Sequence, residues 1–502
     1  MPSPSFGWIN YTVVGAYLAL LVALGFYFSR RRSTTDDYFR AGQRVPWWAA
    51  GLSIFGTQLS ASTFMAIPAK TFATDWAYFM LNMTIIMVSP LIVFVFLPFF
   101  RRLNVTTAYE YLEKRFNLAT RLLGSLMFIG LQLGRVGIVI YLPAIALSLV
   151  TGVDVRWCII LMGTLSILYT VLGGIEAVIW TDVLQVVVLL GGALFCLVYF
   201  GFSIEGGYDR IWEAAQNDDK FNLFDFRFDF TQPTFWVVVL GGVGANIVSY
   251  GSDQAVVQRY LTTRNERNAA RGIWTDAALT LPATLIFFGI GTALYVFYLQ
   301  QVPDVVQATP DAIFPYFIVS ELPPGIAGLL IAGVFAAAMS SLDSSMNSVA
   351  TVVTTDFYRR LNSTATERRY LRVAQGSTAA IGIIGTMMAL LLTQWDIQSL
   401  WDQLNTFIGL FAGGLAGVFL LGMFTRRANG PGAVAGILTS ALVQWSVAAF
   451  TDMHLLLYAT SGLVSAFMVG YATSLLTSKP SKDLNRLTIY TLLKESKTNS
   501  TE

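Results

Sequence analysis

The chain has 502 residues, 55% of them hydrophobic and only 12% charged, with a mean hydropathy of +0.60. A soluble globule carries roughly 25% charged residues, so this composition argues for lipid as the solvent. The net charge of +2 gives no basis for nucleic-acid binding. Two cysteines, Cys158 and Cys196, both in apolar runs, and a single histidine, His454, argue against a disulfide framework, a soft-metal centre or histidine acid–base chemistry.

About thirteen runs approach the ~20 apolar residues that a bilayer requires. In chain order they cover 10–28, 47–67, 76–99, 122–150, 158–172, 177–199, 235–254, 273–298, 326–354, 373–392, 405–424, 433–450 and 455–475. In hydrocarbon a single segment satisfies its backbone only as a helix, so an all-α integral membrane fold is predicted. The first run ends at "SRRRS" without a small-residue cleavage pattern, which argues against a removable leader.

Most of the 32 Lys and Arg fall in alternate loops. Examples are Arg30 to Arg44, Arg101 to Arg121, Arg259 to Arg271, Arg359 to Arg372, Arg426 and Arg427. The excess predicts an outside N-terminus and a cytoplasmic C-terminus in a cell membrane. The acidic and aromatic outer segment 205–234 reads as a cap.

Two runs are interrupted. The second carries "GTQLSAST" and the seventh "GGVGANIVSYG". Glycine-interrupted helices at matching positions of two halves point to an inverted-repeat transporter. The predicted organisation is an N-terminal helix (1–45), a first repeat (46–203), a second repeat (234–427), two further helices (428–478) and a tail (479–502). That tail is too short for a signalling domain, which argues against a membrane sensor. No nucleophile–base set or phosphate loop suggests an enzyme.

The ninth run holds "AAAMSSLDSSMNS", five serines and an acid in an otherwise apolar helix. At about 100° per residue Ala337, Ser340, Ser341, Ser344 and Ser348 share one stripe, with Asp343 at its edge. Such a face offers the oxygen ligands that a hard alkali cation prefers. The broken second run adds free backbone oxygens at Gly56 and Leu59. Asp182, in "IWTDVLQ", is a second acid at membrane depth, either functional or reaching cytoplasmic water. Arg135 lies thirteen residues into its run, about 20 Å at ~1.5 Å per residue. Its guanidinium requires Asp182, Asp343 or an anionic ligand. Gln58, Ser60, Thr63, Tyr78 and Asn82 on one side, and Asn246, Tyr250, Asp253, Gln254 and Asn405 on the other, suit a cavity for a sugar.

These segments resemble the sodium/solute symporter family over nearly the whole chain. The likeness runs from "DDYFRAGQRVPWWAAGLSIFGTQLSASTFMAIPAK" through "GGIEAVIWTDVLQ", "DQAVVQRYL" and "AAAMSSLDSSMNS" to "FLLGMFTRRANG". It is greatest to bacterial sialic acid carriers, which share "IPAK", "GRV", "EAVIWTDV", "VVQRY" and "RRAN"-like segments. The resemblance implies a five-plus-five inverted-repeat core working by alternating access. It implies a main Na⁺ site at Gly56, Leu59, Ala337, Ser340 and Ser341, and a second at Asp182, Ser340, Asp343 and Ser344. Position 343 bears a hydroxyl in those carriers and is Asp here. The resemblance also sets Arg135 against a substrate carboxylate, with Ser60 and Thr63 as substrate hydroxyls. Gln58, Asn82 and Tyr78 depart from the threonine, glutamine and phenylalanine of those carriers. The implied solute is sialic acid or a related acidic sugar, with a neutral monosaccharide or a monocarboxylate as alternatives. Membrane lipid is the one further partner expected, with no nucleic acid and no obligate protein partner.

Overall fold

The computed structural model describes residues 6–30, 34–59, 61–300, 302–303, 306, 310–394, 408–477 and 483–491. Helices dominate, and among the described residues no strand forms; one isolated bridge joins Val45 to Thr263. Helix α1 spans Trp8–Ser29 and is exposed on much of its surface, as a lipid-facing helix should be. Next comes a broken rod, α2 (Trp47–Gln58) and α3 (Ala61–Ala73). At Leu59 the backbone leaves helical geometry (φ −81°, ψ 77°), so carbonyls near the break lose their i+4 donors. Helix α4 is Phe79–Arg102, in which Pro90 removes one ladder N–H and a π-helical stretch follows at Ile92–Phe96.

Helix α5 (Leu118–Thr151) starts on an Asn117 cap that accepts from the Thr120 N–H and stops at left-handed Gly152. Helix α6 (Val155–Ser203) has 49 residues, about 73 Å at ~1.5 Å per residue and more than twice a bilayer core. It is not straight: Gly174 sits at φ 62°, ψ −157°, where a Cβ would strike Tyr38 at 2.8 Å. The break divides α6 into two lengths that each suffice to cross a membrane, near the two runs expected from sequence.

Helices α7 (Phe235–Gly251) and α8 (Gln254–Leu261) meet at a 55° bend. Asp253 caps α8 by accepting from the Ala255 N–H. Helix α9 (Glu266–Phe297) packs against α2 and α3. At Gly51 a Cβ would meet the Gly272 carbonyl at 2.7 Å, so only glycine permits that approach. Helix α10 (Ile326–Leu361) is the centre of the molecule: 89% of its most apolar window is buried, against 28% for α1 and for α11 (Glu367–Leu392). Helices α12 (Phe411–Phe424), α13 (Gly430–Phe450) and α14 (Leu455–Leu476) complete the chain. Among the described residues nine helices are long and apolar enough to cross a membrane, and the bent α7–α8 pair makes a tenth.

Candidate functional site

Helix α10 is wrapped by α2, α5, α6 and α8, and its polar stretch faces three of these partners at once. The buried side chains of Ser340 and Ser344 meet α6 and α8. Ser340 donates to Asp182 Oδ1, and Ser53 of α2 donates to Asp182 Oδ2. Arg259 of α8 completes the cluster. Its Nη2 lies 3.0 Å from Asp182 Oδ2 and 2.6 Å from Ser344 Oγ, and its Nε donates to Ser53 Oγ at 2.8 Å. Asp182 and Arg259 are both wholly buried. The carboxylate therefore does not reach cytoplasmic water, one of the two readings its sequence position allowed. Nor is Arg259 a loop cation: the 55° bend turns α8 inward and carries the guanidinium into the core.

Asp343 points elsewhere. Its carboxylate accepts from the Tyr169 hydroxyl and, at 3.0 Å, from Thr170 Oγ1, both in the first half of α6. A third face of α10 carries Ser345, which donates to Gln132 Oε1 at 2.8 Å. Gln132 donates in turn to Asp253 Oδ1 at 3.3 Å, and Asp253 Oδ2 lies 3.6 Å from Arg135 Nη1. The acid beside Arg135 is thus Asp253, at the α7–α8 bend, rather than Asp182 or Asp343.

Gly56 of α2 abuts α6, where a Cβ would stand 2.9 Å from Val186 and 3.7 Å from Asp182. The stretch that ends the first half of the broken rod and the hydroxyl face of α10 thereby converge on one carboxylate. Ser341 makes only a long 3.5 Å bond to the Ala337 carbonyl, which leaves its hydroxyl weakly engaged. Oxygen is the ligand chemistry here. Among the described residues no group of three His, Cys, Asp or Glu side chains could hold a metal ion.

Beside this cluster is a cavity of about 70 Å³, lined by Gln58, Leu59, Thr63 and Asn82 with Thr280 and Thr284 of α9, and walled by Phe55, Ile67 and Phe287. Three of the sequence-predicted substrate contacts, Gln58, Thr63 and Asn82, therefore meet. Asn246 gives its amide to Thr84 Oγ1 and the Gly242 carbonyl. Tyr250 donates to Asp276 Oδ2 at 2.6 Å. Tyr78 lies outside the cavity lining, with its hydroxyl 3.4 Å from His454 Nε2. Ser60 and Asn405 lie outside the described residues.

Sequence reasoning missed Ser53, Tyr169, Gln132, Asp276 and the buried position of Arg259. Ser53 precedes Gly56 by three residues on one α2 face, a spacing that was available. Arg259 stands in the "VVQRY" segment that carries the resemblance, but nothing local marks it as buried, because its burial depends on the bend.

Residues 38–440 match the Sodium:solute symporter family, and the chain belongs to it. The sodium/sialic acid symporter SiaT of Proteus mirabilis (strain HI4320) is 41% identical over 484 residues, 96% of this chain and 97% of that one. The sodium/sialic acid symporter NanT of Aliivibrio fischeri (strain ATCC 700601 / ES114) is 38% identical over 478 residues, 94% of each chain. A solved Na⁺-coupled sialic acid symporter, in a substrate-bound outward-open state, matches with a TM-score of 0.90 at 40% identity, over 95% of this chain and all of that one. The resemblance read from the motifs holds.

Proposed function

We propose that this protein is a membrane symporter that couples inward Na⁺ flow to uptake of sialic acid or a closely related acidic sugar. The observation that carries this reading is the convergence of the broken α2–α3 rod and the hydroxyl face of α10 on Asp182. Relatives covering nearly the full chain carry the same pairing of cation and solute in their names.

The coupling ions enter as substrates. The main site draws on the backbone of Gly56 and Leu59, the Ala337 carbonyl and the Ser340 and Ser341 hydroxyls. A second draws on Asp182, Ser340, Asp343 and Ser344. Binding of Na⁺ between α2 and α10 favours one conformer, and linkage makes the solute and the ion raise each other's affinity. The solute occupies the Gln58–Thr63–Asn82 cavity with its carboxylate toward Arg135, and Ser60, Tyr78, Asn246, Tyr250 and Asn405 contribute around it. The cavity's ~70 Å³ is below the several hundred that sugar-sized ligands fill, so admission requires the surrounding helices to part.

The architecture we infer has thirteen spans, counting α2–α3 and α7–α8 as one each and α6 as two. Its repeats cover 46–203 and 234–427, each opening on a broken rod, with extra helices in 1–45 and 428–478 and a tail at 479–502. The excess of Lys and Arg in alternate loops supports an N-terminus outside and a C-terminus in the cytoplasm.

Thermal unfolding of purified protein against a panel tests this. In Na⁺, N-acetylneuraminate at a hundredfold excess over its Kd should stabilise by about 2.7 kcal/mol, with little effect in K⁺. Arg135→Ala should weaken N-acetylneuraminate at least tenfold and leave neutral hexoses unaffected. Stabilisation by a hexose alone would overturn the choice of solute while leaving sodium coupling intact.

A further inference from the structure

We propose that Lys70 and Tyr78 form an outer recognition point for the carboxylate of the incoming solute, ahead of Arg135. The inference rests on the reading of the chain as an acidic-sugar symporter.

The register of α3 carries the argument. Thr63 and Ile67 line the cavity, and Lys70 follows at the next helical step on the same face. That face rises about 10 Å from Thr63 to Lys70 at ~1.5 Å per residue. On the neighbouring wall Asn82 lines the cavity and Tyr78 stands one turn before it. The two rows therefore end together one step beyond the lining, where Lys70 Nζ lies 5.3 Å from the centroid of the Tyr78 ring. An ammonium over a tyrosine face is a cation–π arrangement, and it holds a flexible lysine over one side of the opening. The assembled pair offers a charge for a carboxylate and a flat ring for a sugar face.

Structural uses of Lys70 are already filled by others. A lysine in the last turn of a helix ordinarily serves the terminal carbonyls. Here Lys220 of the outer loop does so, donating to Phe72 O at 2.9 Å and Thr74 O at 2.7 Å. Lys70 is exposed, and among the described residues no carboxylate lies within ion-pair distance of it. Asp311 senses its charge from farther away. The Tyr78 hydroxyl is turned to His454 Nε2. An exposed cation with no carboxylate among the described residues in ion-pair reach, held by the Tyr78 ring one step beyond the residues that line the cavity, suits capture of an anion from solution.

Uptake of N-acetylneuraminate into reconstituted vesicles, at fixed Na⁺ and low ionic strength, tests this with Lys70→Gln and Lys70→Arg. Lys70→Gln should raise KM about three- to fivefold, the range of one exposed charge, with kcat within about twofold. Choline chloride should shrink the difference by screening, and Lys70→Arg should restore KM. Wild-type KM in Lys70→Gln at low ionic strength would overturn the proposal, as would equal damage in Lys70→Arg. Absence of N-acetylneuraminate uptake by the unsubstituted protein would overturn the solute reading as well.

Discussion

Asp182, in the second half of α6 facing α10, and Asp343, on α10 facing the first half of α6, are both wholly buried carboxylates, yet they are stabilised in different ways. Asp182 has a cation, Arg259, together with the hydroxyls of Ser53 and Ser340. Asp343 has the hydroxyls of Tyr169 and Thr170 and, among the described residues, no Lys or Arg within ion-pair distance. A buried charge is costly unless it is paired and hydrogen-bonded. The first acid is therefore part of a neutral, cross-braced joint between α2, α6, α8 and α10. The second invites a mobile positive charge, a proton or an alkali cation. Arg259 also occupies two of the proposed second-site oxygens, on Asp182 and Ser344. A Na⁺ at that proposed site would thus compete with the guanidinium for one place, and its binding would require Arg259 to yield.

The largest effect follows from breaking the joint. Asp182→Asn leaves a buried guanidinium without its counter-charge, which should cost about 3–5 kcal/mol of stability and abolish uptake. The double variant Asp182→Asn with Arg259→Gln separates structure from chemistry. It should recover most of the stability, read as thermal midpoint, while Na⁺-driven uptake stays at background. Recovery of uptake together with stability would reduce Asp182 to a structural role.

That distinction lies at the edge of what a sequence can express. The hydroxyl stripe of α10 and the break near Leu59 were readable, because both are local: serine spacing on one helix, and glycine beside polar residues in an apolar run. Gln58 and Thr63 sat in a recognisable motif and Asn82 was visible as a polar residue in the third run, and their meeting follows from the fold the motifs imply. Arg259 was not readable. It stands among loop cations in sequence, and a bend at Ser252–Asp253, six residues upstream, reverses its environment. The same bend gives Arg135 its acid, Asp253, when depth alone had favoured Asp182 or Asp343. Helix length misled less than expected, since Gly174 divides α6 about where two separate runs had been counted.

A smaller effect should come from the weakly engaged hydroxyl. Ser341→Ala removes one candidate sodium ligand while breaking only a 3.5 Å contact, so folding should be spared. Losing one such ligand, at ~1.4 kcal/mol, should raise the Na⁺ concentration for half-maximal uptake about tenfold. Unchanged sodium dependence would move the main site away from Ser341.

The smallest effect on affinity, and the sharpest test of the comparison, belongs to Asp343. Asp343→Asn keeps one acceptor oxygen, replaces the other with an NH2 from which the facing hydroxyl can accept, and removes the charge, so stability should fall little. If Asp343 binds a mobile cation, the variant should move one fewer charge per solute, read from reversal potentials in vesicles at fixed gradients. Each coupled charge is worth about 2.3 kcal/mol per 100 mV, so accumulation at a membrane potential should drop even where KM for the solute is unchanged. Repeating the measurement in a proton gradient at constant Na⁺ tells the two cations apart: loss of proton dependence assigns the charge to H⁺, and loss of one Na⁺ assigns it to sodium. A ratio unaltered in both gradients would make Asp343 as purely structural as its hydroxyl partners.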